Sequence, residues 1–488
     1  MTASRRLLLP GLAVLSLGGA LLAPATTSAF GATPAPAVSF KTDGVPTFGP
    51  ASVVSAHFLG AEPQTTLERP TAASVKGALD KNRVFVDWPV SSRTQTGTLH
   101  RSLDGGKTFR LLFDPLCAPR SRPMCTTGGG GDTENDVNPV TGQVYFADQE
   151  VLVQEAFATS NDHGDTFPVS QSFPITSAAT GVDRQWVAGV APGIASVAGQ
   201  NIAAFYTYHV PIVGEYIVGV TDRGVPLLQP VPQVTNVSQS GQVRVDNTNG
   251  PGRGWIYQPY RTNGYQLATA KASDYATPAG WKVNQVGKPA TQPDIFPWLS
   301  LDDHGNAYAT WIHNGRMYYS VSLIDAKANN PKLGGRPGTE FSAEVDITPP
   351  NLGAVIFPEI VAGTPGRAAI AFNGTSDFNT GGTKKTDDAP PNARWNTYVS
   401  VLTNALGTNG PVEVRTGKVS HRIVHTGNIC TSGTTCAATM PEKDRSLLDL
   451  IDIGLDADGA VGVVYTDNNF ALAVPADPAA PRKGPFVQ

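Results

Sequence analysis

Asp132, Glu134 and Asp136 stand at alternate positions in the chain. On a β-strand alternate residues share one face, so the three carboxylates would point the same way. Two chemistries follow. Neighbouring like charges raise a carboxyl pKa, which suits Glu134 to general-acid work. With backbone carbonyls from the glycine run 128–131, the same three groups could instead bind Ca²⁺, a hard ion that takes about six to eight oxygens. No residue pattern requires any other cofactor.

Further charged and aromatic residues precede stretches that read as strands. Asp183, Arg184 and Trp186 form one such group. Asp294, Phe296 and Trp298 form a second, Glu359 stands alone, and Asp444, Arg445, Asp449 and Asp452 form a third. A plain core strand would need none of these charges. Glu134 with Asp449 or Asp452 could hydrolyse a neutral glycan as a carboxyl pair. The signatures GxSxG, HExxH, GxGxxG and the Walker loop are absent, which removes the reaction classes they serve.

The elements that must position these residues recur along the chain. A turn followed by a short β-rich run appears at 79–88, 137–148, 301–311 and 454–467, with weaker copies at 197–208, 249–260 and 363–372. Each puts Gly, Asn or Asp in the turn and β-branched, aromatic or Ala residues after it, a hairpin signature. A second unit, strand, tight turn and strand, is sharp in SLDGGKTF (102–109) and SNDHGDTF (160–167) and degenerate in TDRGVPL (221–227). These lie about 60 residues apart, a comfortable length for one four-stranded blade with loops. The expectation is an all-β propeller of four-stranded antiparallel blades, seven favoured and six the alternative. Residues 51–58 would supply a missing outer strand to close the ring.

The two sharp turns fit the pattern S-x-D-x-G-x-T-F/W. With the stretches 128–148, 183–189 and 445–468, they make residues 60–475 resemble sialidase-like, Asp-box (BNR-repeat) propellers, including bacterial exo-α-sialidase-like proteins. That resemblance implies a pocket on the propeller axis and three arginines that grip a sugar carboxylate through bidentate pairing. Arg69, Arg184 and Arg445 are the best three, with Trp186 and Trp298 as further substrate contacts. It also implies a Tyr nucleophile assisted by Glu, and an Asp acid/base. Tyr465 beside Asp467 is the most suggestive tyrosine, ahead of Tyr206, Tyr208, Tyr257 and Tyr260, with Glu134 and Asp449 as the carboxylates. The function implied is a glycosidase acting on sialic-acid-like or other acidic glycans; the alternative is a non-catalytic propeller that binds glycan or protein.

Arg5 and Arg6, an apolar run from Leu7 to Ala23 and the small residues up to Ala29 read as an export signal. The expected organisation is a signal peptide over 1–29, a flexible Ala/Pro/Thr-rich lead over 30–50, the propeller over 51–476 and a polar tail over 477–488. Export implies a secreted, extracellular protein, free of the membrane after cleavage, and a monomer is expected. Four cysteines suit that compartment; the pairs Cys117–Cys125 and Cys430–Cys436 are favoured because each closes a short loop. The formal net charge of −4 offers no basic surface for nucleic acid. With 51 Gly and 40 Pro, the composition is that of turn-rich β-structure.

Overall fold

The structure is a computed structural model that describes residues 33–89 except 57, 97–113, 132–150, 154–173, 181–433 except 212, 435–436, 442–469, 471–474, 477–483 and 486–488. The expected signal segment, the Cys117–Cys125 pair and the glycine run 128–131 lie outside these residues. The chain forms a β-propeller of six blades. In blades 1, 2, 3 and 5 four antiparallel strands follow one another from the axis outward. Their inner strands are Gln64–Leu67, Thr133–Val137, Asp183–Gly189 and Trp298–Leu301. Blade 4 splits its inner strand into Gln239–Ser240 and Arg244–Val245, both paired with Trp255–Thr262. Blade 6 begins with Ala354–Ala362 and carries an extra outer strand.

Every turn-and-run unit read from the sequence joins an inner strand to the second strand of its sheet. Apolar side chains from facing sheets then close the spaces between blades. Trp186, Tyr308, Phe372 and Trp395 are each fully buried there, and rings of that size dominate the energetics of such a core.

The two sharp turns connect third and fourth strands of blades 1 and 2. Ser102 Oγ accepts the Gly106 N–H at 2.9 Å, while Asp104 Oδ1 accepts the Thr108 N–H at 2.9 Å and Oδ2 the Thr108 hydroxyl at 2.6 Å. Ser160, Asp162, Gly164 and Thr166 repeat this arrangement. Gly106 and Gly164 sit at φ of +83° and +85°, where a Cβ would be strained. These bonds to the ionised form hold the Asp104 carboxyl well below its usual range.

Four expectations need correction. The seventh turn-and-run unit makes only a two-stranded hairpin, Asp452–Leu455 with Val461–Val464, so the full blades number six. The hairpin wedges between the inner strands of blades 6 and 1. The Thr65 N–H donates to Asp452 Oδ2 at 2.6 Å, and Gly454 packs so closely on Leu67 that a Cβ would lie 2.5 Å from Leu67 Cδ1. Residues 51–56 and 58 form no strand; the Val54 N–H donates instead to the Val487 carbonyl at 3.1 Å. The supposed flexible lead is structured from residue 33: Val38–Lys41 runs parallel to the outer strand Val412–Lys418 of blade 6. The end of the supposed tail pairs too, Phe486–Val487 with Thr466–Asp467, and Val487 is buried. Cys430 and Cys436 form a disulfide.

Candidate functional site

The inner strands all start at one end of the axial channel, and that mouth gathers charge. Arg184 occupies the second position of the blade 3 inner strand, where a bulge shifts the register between Asp183 and Gln185. Its φ of +50° is unusual for a non-glycine residue. The bulge lets successive residues diverge: Asp183 stays accessible to solvent while Arg184 is only 1% exposed. The Arg184 guanidinium lies 4.2 Å from the Trp186 ring centroid, a cation–π contact. It faces Asp132 at 3.8 Å and Glu134 at 3.9 Å. Arg445 clasps Asp449 with both terminal nitrogens.

Glu62, Asp132, Asp183 and Asp449 surround these two arginines. Burial, then the charges of Asp132 and Asp449, pushes the Glu62 carboxyl well up, against the opposing pull of Arg184 and Arg445. The same causes push Asp183 up to about 7. Asp183 is exposed at the mouth, and a carboxyl raised towards neutrality there is placed to exchange protons at physiological pH.

Below the mouth the acidic file continues along the axis. Glu134 is fully buried, accepts from Gln242 Nε2 at 2.5 Å and is pushed well up by burial. Beside this file, on the second strand of blade 1, Asp87 accepts from Thr133 and from Asn135, the latter at 2.5 Å, and burial raises it to about 7. At the far end Asp136 accepts the Gly189 N–H at 2.6 Å and is raised by burial to about 6. Burial raises Glu359 and Asp452 as well, and the two are hydrogen-bonded to each other. Arg244 lies 3.9 Å from Glu359. A cavity of about 270 Å³ opens here, lined by Asp136, Arg244, Asp452 and Arg69 among others.

With this geometry in place, the chain can be set beside known proteins. No family model matches it, and no curated protein does. Solved structures with a similar fold include an α-L-arabinofuranosidase from Fusarium graminearum. That enzyme is 13% identical, with 73% of this chain and 96% of the other covered and a TM-score of 0.39. The BP39L lectin from Burkholderia pseudomallei is 9% identical over 88% and 99%, with a TM-score of 0.43. The Hadza microbial sialidase Hz136 is 10% identical over 75% and 66%, with a TM-score of 0.37. These likenesses are too distant to assign any residue.

The expected site residues divide. Arg184, Arg445, Asp449 and Asp132 meet at the mouth, with Glu134 beneath them. Arg69 does not join them. It follows the inner strand Gln64–Leu67 instead of preceding it, so it emerges at the opposite end and pairs with Asp303 through two bonds of 2.8 Å. The three-arginine grip is therefore not formed. Trp186 and Trp298 are buried at 0% and 1% exposure and pack edge to face; they support Arg184 from below instead of presenting a face to a ligand. Tyr465 lies away from the mouth, beside Gln488, with its hydroxyl raised to about 12 by burial. Tyr206, Tyr208, Tyr257 and Tyr260 are buried in the blades.

Among the described residues the three carboxylates do not converge as a Ca²⁺ cage would require. Asp132, Glu134 and Asp136 do share a strand face, but they are strung down the channel and each is engaged by different partners, Arg184, Gln242 and the Gly189 N–H. Among the described residues no group of three His, Cys, Asp or Glu side chains is arranged to hold a metal ion. Sequence reasoning missed Glu62 and Asp87. Asp87 carried a signal, a lone charge inside the apolar strand Val84–Pro89; Glu62 carried none.

Proposed function

We propose that the protein is a glycoside hydrolase whose site is the channel mouth, with Asp183 as the general acid and Asp132 as the second carboxylate. The observation that carries this reading is the solvent-reached Asp183 carboxyl, raised to about 7 among Asp132, Asp449, Arg184 and Arg445. Glycosidic bond cleavage uses a pair of carboxyl groups, one of them a general acid with a raised value. Asp132 faces Arg184 Nη1 at 3.8 Å, so it differs from Asp183 in its partner.

The charge balance points to a neutral glycan. Arg445 is committed to Asp449, and Arg184 is flanked by Asp132 and Glu134. Neither offers surplus positive charge to a sugar carboxylate. One observation favours an acidic sugar of the sialic-acid type: Arg184 and Arg445 act on the same two carboxyls, Glu62 and Asp183, so both lie at the recess. We also propose that the protein works outside the cytoplasm, as its export-like N-terminus and the Cys430–Cys436 disulfide suggest.

A panel of 4-methylumbelliferyl glycosides, neutral, uronic and sialic, tests the reading. Neutral glycosides should be hydrolysed by the wild type and not by Asp183→Asn. Hydrolysis confined to sialosides would establish the acidic-sugar reading instead. No hydrolysis anywhere, with glycan binding retained, would make the protein a binding propeller.

A further inference from the structure

The degenerate third turn differs from its two neighbours in what it does with its aspartate. In blades 1 and 2 the Ser hydroxyl accepts the N–H four residues on, and the Asp two residues on locks the Thr six residues on. In blade 3 Thr221 Oγ1 takes the Ser role, accepting the N–H groups of Arg223 at 3.3 Å and Val225 at 3.1 Å. Register is then fixed: Arg223 stands where the locking Asp would be, and Leu227 where the Thr would be. Asp222 is displaced by one position and has no turn to lock. Its carboxylate and the Arg223 guanidinium are exposed, and neither side chain makes a hydrogen bond or ion pair among the described residues.

Both border a groove of about 730 Å³ between blades 2 and 3, within the range of sites that take small organic ligands. The groove is built from turns at the end of the propeller opposite the mouth. Its rim carries three exposed amides, Asn161, Gln200 and Asn201, the last two on a short hairpin, Ser196–Val197 with Gln200–Asn201, inserted after the blade 3 inner strand. Its apolar lining is supplied by Val190, Pro192, Ile202 and Val225. Amides both donate and accept, as sugar hydroxyls do. A carboxylate beside a guanidinium binds vicinal hydroxyls without net charge, and an apolar lining suits the C–H face of a sugar ring.

We propose that this groove is a second carbohydrate-binding site, taking a neutral, hydroxyl-rich glycan residue. It stands apart from the channel and needs no turnover there. The Asp183→Asn protein, applied to an array of neutral oligosaccharides, should bind, and adding Asp222→Ala with Arg223→Ala should weaken binding at least about ten-fold. Asn201→Trp, which fills the groove and leaves the turn intact, should do the same, with an unchanged melting temperature. No binding to any neutral glycan, or equal binding by both groove variants, would overturn the proposal. Binding lost on Asp132→Asn but kept in the groove variants would also overturn it, while leaving the hydrolase reading standing.

Discussion

Asp183 keeps its proton because of what surrounds it, and that makes its behaviour testable at the level of single side chains. Asp183→Asn should lower kcat by about 10²–10⁴-fold, the usual worth of a general acid, without lowering the melting temperature. The active form carries the proton, so activity should fall as pH rises through about 7. Arg445 holds that value down, so Arg445→Met should move the alkaline limb of the pH–rate profile upward. A limb that stays in place would remove Asp183 from the acid role. Arg184 is a different case. It is a buried cation faced by Asp132 and Glu134, and removing one partner of such a set leaves uncompensated charge. Arg184→Met should therefore cost about 3–5 kcal/mol in denaturant unfolding. Residue types and their grouping revealed Arg184, Asp449 and Asp132. Glu62 escaped because its placement depends on strands distant in sequence.

At the scale of elements, local chemistry was legible and long-range placement was not. The turns at 102–109 and 160–167 close through bonds spanning a few residues, so their residues announce them. Asp162→Ala removes bonds to Thr166 and Ser160; like loss of a cap at a half-exposed site, it should cost about 1 kcal/mol by thermal melting. The hairpin Asp452–Leu455/Val461–Val464 carries the same turn signal as a full blade, and nothing local says that its outer strands are missing. Arg69 was misplaced for a related reason: the short inner strand Gln64–Leu67 is too polar to announce itself, so Arg69 read as lying before a strand when it lies after one. The wedge should be sensitive to size. Gly454→Val would drive methyl groups into Leu67 and, as overpacking, cost about 1–3 kcal/mol.

Across the whole molecule the axis and the strands beside it hold carboxyls whose values are raised, chiefly by burial. They include Glu62, Glu134 and Glu359, with Asp87 and Asp183 near 7 and Asp136 near 6. Each binds a proton in the folded state that the unfolded chain has released, so stability declines as pH climbs through these values. The melting temperature should be highest on the acid side, near pH 4–5 by the ordinary carboxyl values, and fall steadily towards pH 8. A maximum at neutral or alkaline pH would show that these carboxyls are not protonated. The bond from Thr65 to Asp452 has a further consequence, one of timing. Its partners lie 387 positions apart, and Thr466–Asp467 takes Phe486–Val487 as its strand partner. A ribosome releases residue 65 long before residue 452, so the first blade must wait, with one flank uncovered, until residue 452 has been made. Closure of this ring waits for the hairpin at Asp452–Leu455, and a nascent chain halted before residue 450 should remain open to protease.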